Sequence, residues 1–260
     1  MPSSQCHARS MTAERPTLPS FEPLPEDWQS ALFVVAHPDD IEYGAAAAVA
    51  RWTGQGKKVV YCMVTSGEAG IDGIHPDECG PLREAEEIAS AAAVGVDEVL
   101  FLRLPDGILE YGVELRRALA KVVREQRPDV ALTINFRETF GGTNLNQADH
   151  IAVGKALLDA VRDAGNRWVF PEQLTDGLEP WGGVKAVWAG GSPQATHAVD
   201  VTDTFAAGVA SLKEHRAYIE GLGWEGWDPE EFLDGILRAG GQGLGVTHAS
   251  TFEVFPLGWG

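Results

Sequence analysis

Apolar residues run unbroken from Ala31 to Ala36 and through most of Lys57 to Thr65, the pattern of strands buried on both faces of a parallel sheet. Between them the Ala-rich segment from Gly44 to Trp52 predicts a helix. The alternation continues with a helix over Pro81 to Val94, a strand over Asp97 to Leu104, a helix around Val113 to Glu125, a strand around Val130 to Ile134 and a helix opening at His150. Beyond Pro171 the pattern loosens. Strands are expected over Val184 to Trp188 and His197 to Val201, one helix over Phe205 to Leu222, and an alternating edge strand from Thr251 to Phe255. Within Gly223 to Gly245 a short amphipathic helix bounded by glycines could act as a lid. Together these elements predict an α/β fold, a mostly parallel sheet flanked by helices with a less regular C-terminal part. Residues 1–26, rich in Ser and Pro, read as a mobile N-terminal arm or a segment laid on the surface, and 27–260 as one domain.

Composition narrows the partners. Acidic residues number 38 against 20 basic ones, and the net charge of -18 disfavours nucleic acid or an anionic membrane surface. A neutral or cationic small molecule fits better, and a homo-oligomer is compatible with the chain. Cys6, Cys62 and Cys79 show no metal-site spacing and leave an odd count, which points to a reduced, cytoplasmic setting. No apolar run reaches the roughly 18 residues of a membrane span. Trp181, Trp188, Trp224, Trp227 and Trp259 read first as core packing, although rings that stack on sugar faces would give the same pattern.

The candidate chemistry lies where the first buried run stops, at His37-Pro38-Asp39-Asp40. In open α/β sheets ligands bind at the carboxyl ends of strands, where such a strand-to-helix turn falls. An imidazole and a carboxylate three residues apart can both reach one borderline cation such as Zn²⁺, and Fe²⁺ suits the same donors. A further carboxylate beside them could take a proton from water. The alternative is that Asp39 or Asp40 caps the helix and His37 is a loop residue. Three more loops end at the same edge: Ser66 to Gly70, Pro105-Asp106-Gly107, and the long polar stretch Asn135 to Asp149 before His150. A helix-start His is often merely exposed, Pro-Asp-Gly forms turns unaided, and Arg83 with Glu86 three residues on could be a surface ion pair.

Ala36-His37-Pro38-Asp39-Asp40, with Glu42 and Gly44, resembles the opening motif of the LmbE-like or PIG-L family of zinc-dependent N-deacetylases. The resemblance extends to Ser66-Gly67-Glu68-Ala69-Gly70, to Arg83 with Glu86, to Pro105-Asp106-Gly107, and to Asp149-His150 with Val153-Gly154. It implies a Rossmann-like fold, His37, Asp40 and His150 as metal ligands, and Asp39 as the general base. It further implies substrate-side roles for Glu68, Arg83 and Asp106, an orienting role for Asp149, and a small amino-sugar substrate of N-acetylglucosamine type. A His that the family uses for proton donation or oxyanion stabilisation falls on Gln147 here, which can donate a hydrogen bond but not a proton. His215, placed like a late-helix His of the family, is the other candidate for that role. The departure at Gln147 keeps a second reading open, a metal- or glycan-binding relative without deacetylase activity. A nucleotide-binding α/β protein is disfavoured because no Gly-rich turn follows the first strand.

Overall fold

A computed structural model describes residues 20–258. In chain order the elements are β1 (Glu22–Pro23), β2 (Ser30–Val35), α1 (Ala46–Gly54), β3 (Lys58–Met63), α2 (Pro76–Ala93), β4 (Glu98–Phe101), α3 (Val113–Gln126), β5 (Val130–Ile134), α4 (Ala148–Gly165), α5 (Glu172–Thr175), β6 (Ala186–Gly190), β7 (His197–Asp200), α6 (Phe205–Leu212), α7 (Arg216–Gly221), α8 (Pro229–Leu244) and β8 (Ala249–Pro256). The strands form one eight-stranded sheet in the order β1-β7-β8-β6-β5-β2-β3-β4. All neighbours are parallel except β8, which runs antiparallel to both β6 and β7.

Side chains alternate across this sheet and feed two cores. Phe33 and Val35 of β2 join Tyr61, Met63, Trp188 and Phe252 under α1, α6 and α8, while Leu32 and Val34 join Val60, Cys62 and Val187 under α3 and α4. That two-sided burial is why β2 and β3 read as unbroken apolar runs. The first core is built on aromatic edge-to-face contacts, with Trp28 and Trp52 ring centroids 5.3 Å apart and Trp28 and Trp188 5.9 Å apart. From β2 the chain winds out to β3 and β4, then returns to lay β5 on the other side of β2. The carboxyl ends of β2 and β5 therefore flank the switch point of a doubly wound sheet.

Several expectations are corrected. The helix expected from Pro81 begins at Pro76, because the His75 ring accepts the Asp77 N–H as a cap and Pro76 takes the first position, leaving Pro81 inside. The single helix expected over Phe205 to Leu222 is two, α6 and α7, with the break at Lys213 to His215. The expected edge strand at 251–255 is interior, since periodicity reports a strand but not its neighbours. The helix expected as a lid is α8, and it is docked: Gly240 and Gly241 lie so close to the Ala249 and Thr247 carbonyls that a Cβ would overlap them. Of the expected arm, residues 20–26 belong to the fold. Glu22 and Pro23 pair with β7, Leu24 is buried, and Glu26 accepts from Arg51 and the Trp52 indole. Residues 1–19, with Cys6, and the C-terminal Trp259 lie outside the described residues. Among the described residues no helix is long and apolar enough to cross a membrane.

Candidate metal centre and active site

His37 and Asp40 leave the end of β2 on a tight turn, and Asp40 Oδ2 accepts the His37 backbone N–H at 2.9 Å. His150 reaches the same point from the first turn of α4, which follows β5. His37 Nδ1 and His150 Nε2 are 3.2 Å apart, His150 Nε2 and Asp40 Oδ1 2.9 Å, and His37 Nδ1 and Asp40 Oδ2 3.6 Å. Bonds of about 2.0–2.2 Å to a tetrahedral ion place neighbouring ligand atoms about 3.3–3.6 Å apart, so these donors, with Asp40 turned to His150 through Oδ1 and to His37 through Oδ2, lie near the spacing of one face of such a site.

The far nitrogens of both rings are tied down, which fixes their tautomers. His150 Nδ1 donates to Asn146 Oδ1 at 2.8 Å, leaving the Nε2 lone pair for an ion. His37 Nε2 faces Asp106 Oδ1 at 3.1 Å and Asp149 Oδ2 at 3.4 Å, leaving Nδ1 for the same ion. Asp149 is in turn held by the Gly107 and Leu109 N–H groups, so the β4–α3 loop and α4 lock together behind His37. Burial works against charge on His37, but Asp40, Asp106 and Asp149 outweigh it and raise its pKa well above the imidazole range. Burial likewise opposes charge on Asp40, yet His150 and His37 hold its carboxyl well below the usual range. Such an excess of carboxylate around two imidazoles is the electrostatic signature of a place for a cation. Zn²⁺ fits the donor set.

Asp39, between the two ligands of the turn, is 4% exposed and has a backbone φ of 96°, a left-handed conformation uncommon outside glycine. Two contacts hold it there. Glu87 Oε2 accepts its N–H at 3.1 Å, and Arg83 Nη2 donates to its Oδ1 at 2.9 Å. Burial pushes the Asp39 carboxyl up to about 7, with Arg83 opposing.

Arg83 thus points inward from α2. It also donates to the Pro38 and Gly67 carbonyls and lies 4.0 Å from the Tyr218 ring. It threads past Gly67 and Gly70, where any Cβ would collide with the guanidinium. The ion pair weighed for Arg83 and Glu86 is replaced by the one with Asp39. Glu86 instead accepts the Ala217 N–H and so anchors α7. Glu68 braces the same edge, accepting the Asp106 N–H at 2.9 Å, while Asp106 Oδ2 accepts the Ala69 N–H.

Gln147 is the N-cap residue of α4, exposed, and its side chain makes no capping bond. His215 has a different setting from the substrate-facing one expected of it. It is fully buried at the α6–α7 break, 3.8 Å from Glu42 and 3.7 Å from Glu87, and burial with the nearby Arg83 pushes its pKa down to about 3. A buried neutral imidazole is not poised to donate a proton to a substrate.

Two residues went unread in the sequence. Asn146 organises the β5–α4 loop, donating to the Asn135 and Arg137 carbonyls while accepting from His150. Its signal was available, an amide four residues before a helix-start His. Glu87 had none beyond an acidic residue beside Glu86. The same loop is tied to β8 by Glu253, which accepts from Arg137 Nε at 3.2 Å and from Ser192 Oγ at 2.6 Å. Phe140 stands on it half exposed, edge-on to the His150 ring.

These features define an α/β protein with a cluster of candidate cation ligands, His37, Asp40 and His150, at the switch point of its sheet and a further carboxylate beside it. The family described as PIG-L, GlcNAc-PI de-N-acetylase, matches residues 32–161, and the chain belongs to it. It is 28% identical over 232 residues to a diacetylchitobiose deacetylase of Thermococcus kodakarensis, covering 88% of this chain and 84% of that one. It is 32% identical over 163 residues to a 1D-myo-inositol 2-acetamido-2-deoxy-alpha-D-glucopyranoside deacetylase of Kineococcus radiotolerans, covering 50% of this chain but only 44% of that one. The solved N,N'-diacetylchitobiose deacetylase of Pyrococcus horikoshii superposes with a TM-score of 0.81 at 25% identity, covering 88% of this chain and 85% of that one.

Proposed function

We propose that the protein is a zinc-dependent N-deacetylase that removes the acetyl group from a small N-acetylglucosamine-type conjugate. The observation that carries this reading is the convergence of His37, Asp40 and His150 from the ends of β2 and β5, with Asp39 held beside them. The names of the relatives, which are deacetylases of acetylated amino sugars, supply the substrate class.

His37, Asp40 and His150 would hold the ion, which when bound would supply Lewis acidity and lower the pKa of water. Asp39 takes the proton of the attacking water and returns it to the amine as the amide C–N bond breaks. Arg83 and Glu87 keep its carboxylate aimed in a strained backbone conformation. The Gln147 amide, which makes no capping bond to α4, donates to the oxygen that becomes negatively charged. Asp106 and Asp149 keep the His37 ring in register. The reduced cytoplasm is the compartment we assign, in keeping with the free thiols of Cys62 and Cys79.

The test is metal analysis of protein purified without chelator, followed by amine release from N-acetylglucosamine, diacetylchitobiose and an inositol N-acetylglucosaminide. His150→Ala should lose metal. Asp39→Ala should keep it and lose about 10²- to 10⁴-fold in turnover. Metal binding with no hydrolysis of any acetylated amino sugar would instead support the binding protein without deacetylase activity.

A further inference from the structure

Behind the turn that carries Asp39, three ionisable side chains meet in the interior, of which only Glu87 has a part in the proposed chemistry, holding the Asp39 N–H. Glu42 comes from the turn before α1, Glu87 from α2 and His215 from the α6–α7 break, each at most 1% exposed. His215 Nε2 lies 3.8 Å from Glu42 Oε2 and 3.7 Å from Glu87 Oε2, and one ligand atom from each residue falls within 4.8 Å of the others. Yet Glu42 Oε2, Glu87 Oε1 and both His215 ring nitrogens have no hydrogen-bond partner among the described residues, and neither has the buried Tyr61 hydroxyl. Buried polar atoms are ordinarily paired, so this concentration of unpaired ones calls for an occupant.

The side chains are aimed, not loose. Ser90 Oγ and Ser211 Oγ lie 2.8 and 3.3 Å from Glu42 Oε1 and 2.7 Å from each other, which leaves Oε2 turned to His215. Glu87 is fixed by the Asp39 N–H through Oε2, the oxygen that faces His215, and its Oε1 is the unpaired one. Charge decides what the occupant is. Two carboxylates removed from water stay ionised only beside positive charge and otherwise take up protons, the direction in which burial pushes both, and Arg83, the guanidinium beside them, is already engaged by Asp39 and the carbonyls of Pro38 and Gly67. A trapped water would supply two donors and no charge. We propose that Glu42, Glu87 and His215 form a second metal site, separate from the His37–Asp40–His150 centre, that takes a divalent first-row ion such as Zn²⁺ or Mn²⁺. One imidazole and two carboxylates are donors that both ions accept, and together they neutralise the charge. Enclosure makes the site structural. Its ion ties α2 and the α6–α7 break to the turn that holds Asp39 in place.

The experiment counts metal per chain by mass spectrometry in wild type, His150→Ala, Glu87→Gln and the double variant, each purified without chelator. Two equivalents are expected in the wild type, one in each single variant and none in the double. A wild type with one equivalent that His150→Ala removes would overturn the proposal, as would a Glu87→Gln protein that retains two. Failure of the first centre reads differently, because metal would then fall with Glu87→Gln but not with His150→Ala. Should Glu87→Gln not fold, anomalous diffraction from His150→Ala crystals grown with Mn²⁺ decides. A peak among the three side chains supports the site, and its absence at saturating Mn²⁺ overturns it.

Discussion

Arg83 is a buried cation whose partners are spread over three segments: the Asp39 carboxylate, the carbonyls of Pro38 and Gly67, and the Tyr218 ring. Arg83→Ala would leave Asp39 buried beside no guanidinium, a loss of about 3–5 kcal/mol for breaking such a pair, measurable by urea unfolding. Arg83→Lys should not restore it, because one ammonium cannot reach all three acceptors. A destabilisation below about 1 kcal/mol would show that the guanidinium is dispensable there. Gln147 predicts the opposite profile. Its exposed side chain has no capping bond to lose, so Gln147→Ala should leave melting temperature and metal content alone while lowering kcat by roughly ten- to a thousandfold. An unchanged kcat would remove it from the mechanism. The Cys62 thiol should be silent. Burial pushes the Cys62 thiol up to about 12, so at pH 8 it is protonated and unreactive, and labelling by an alkylating reagent should proceed only as fast as the protein unfolds. At this scale the motif residues were legible because their spacing on strand-end turns resembles a known family. Glu87 and the direction of Arg83 were not, because a helix shows its period in the sequence but not which neighbour each face meets.

Helix α4 carries His150, and its position depends on Gly154 one turn further along. A Cβ at Gly154 would fall on the Phe136 ring at the end of β5, so the helix can approach the sheet only with glycine there. Gly154→Ala should therefore cost about 1–3 kcal/mol by overpacking, and it should weaken metal binding in a titration because the first turn of α4 is displaced with it. Stability lost with metal affinity unchanged would place the strain elsewhere. Elements buried on both faces, β2, β3 and β5, were readable from apolar runs alone. The early start of α2 was hidden by Pro81, which reads as a helix opening, whereas the operative signals were a His cap and Pro76. The break between α6 and α7 was hidden for another reason. Residues 205–222 keep a helical composition throughout, and the interruption is where His215 turns inward.

Across the molecule, β8 holds together parts that no nearby sequence connects. Strands β1 and β7 reach β6 only through it, and its Glu253 grips Arg137 on the loop that orients His150. During synthesis this order has a cost. When every other strand has left the ribosome, β6 still shows an open flank of Ala-Val-Trp-Ala-Gly to its neighbours, an unpaired apolar edge of the kind that recruits other chains. A protein lacking residues 249–258 should accordingly be insoluble or quickly digested by protease, and a soluble, metal-loaded truncation would contradict this. Because Glu253 arrives so late, the loop bearing Asn146 and the approach to His150 are unbraced until translation has passed it. The nascent chain therefore stays without a finished catalytic centre until its sheet is closed.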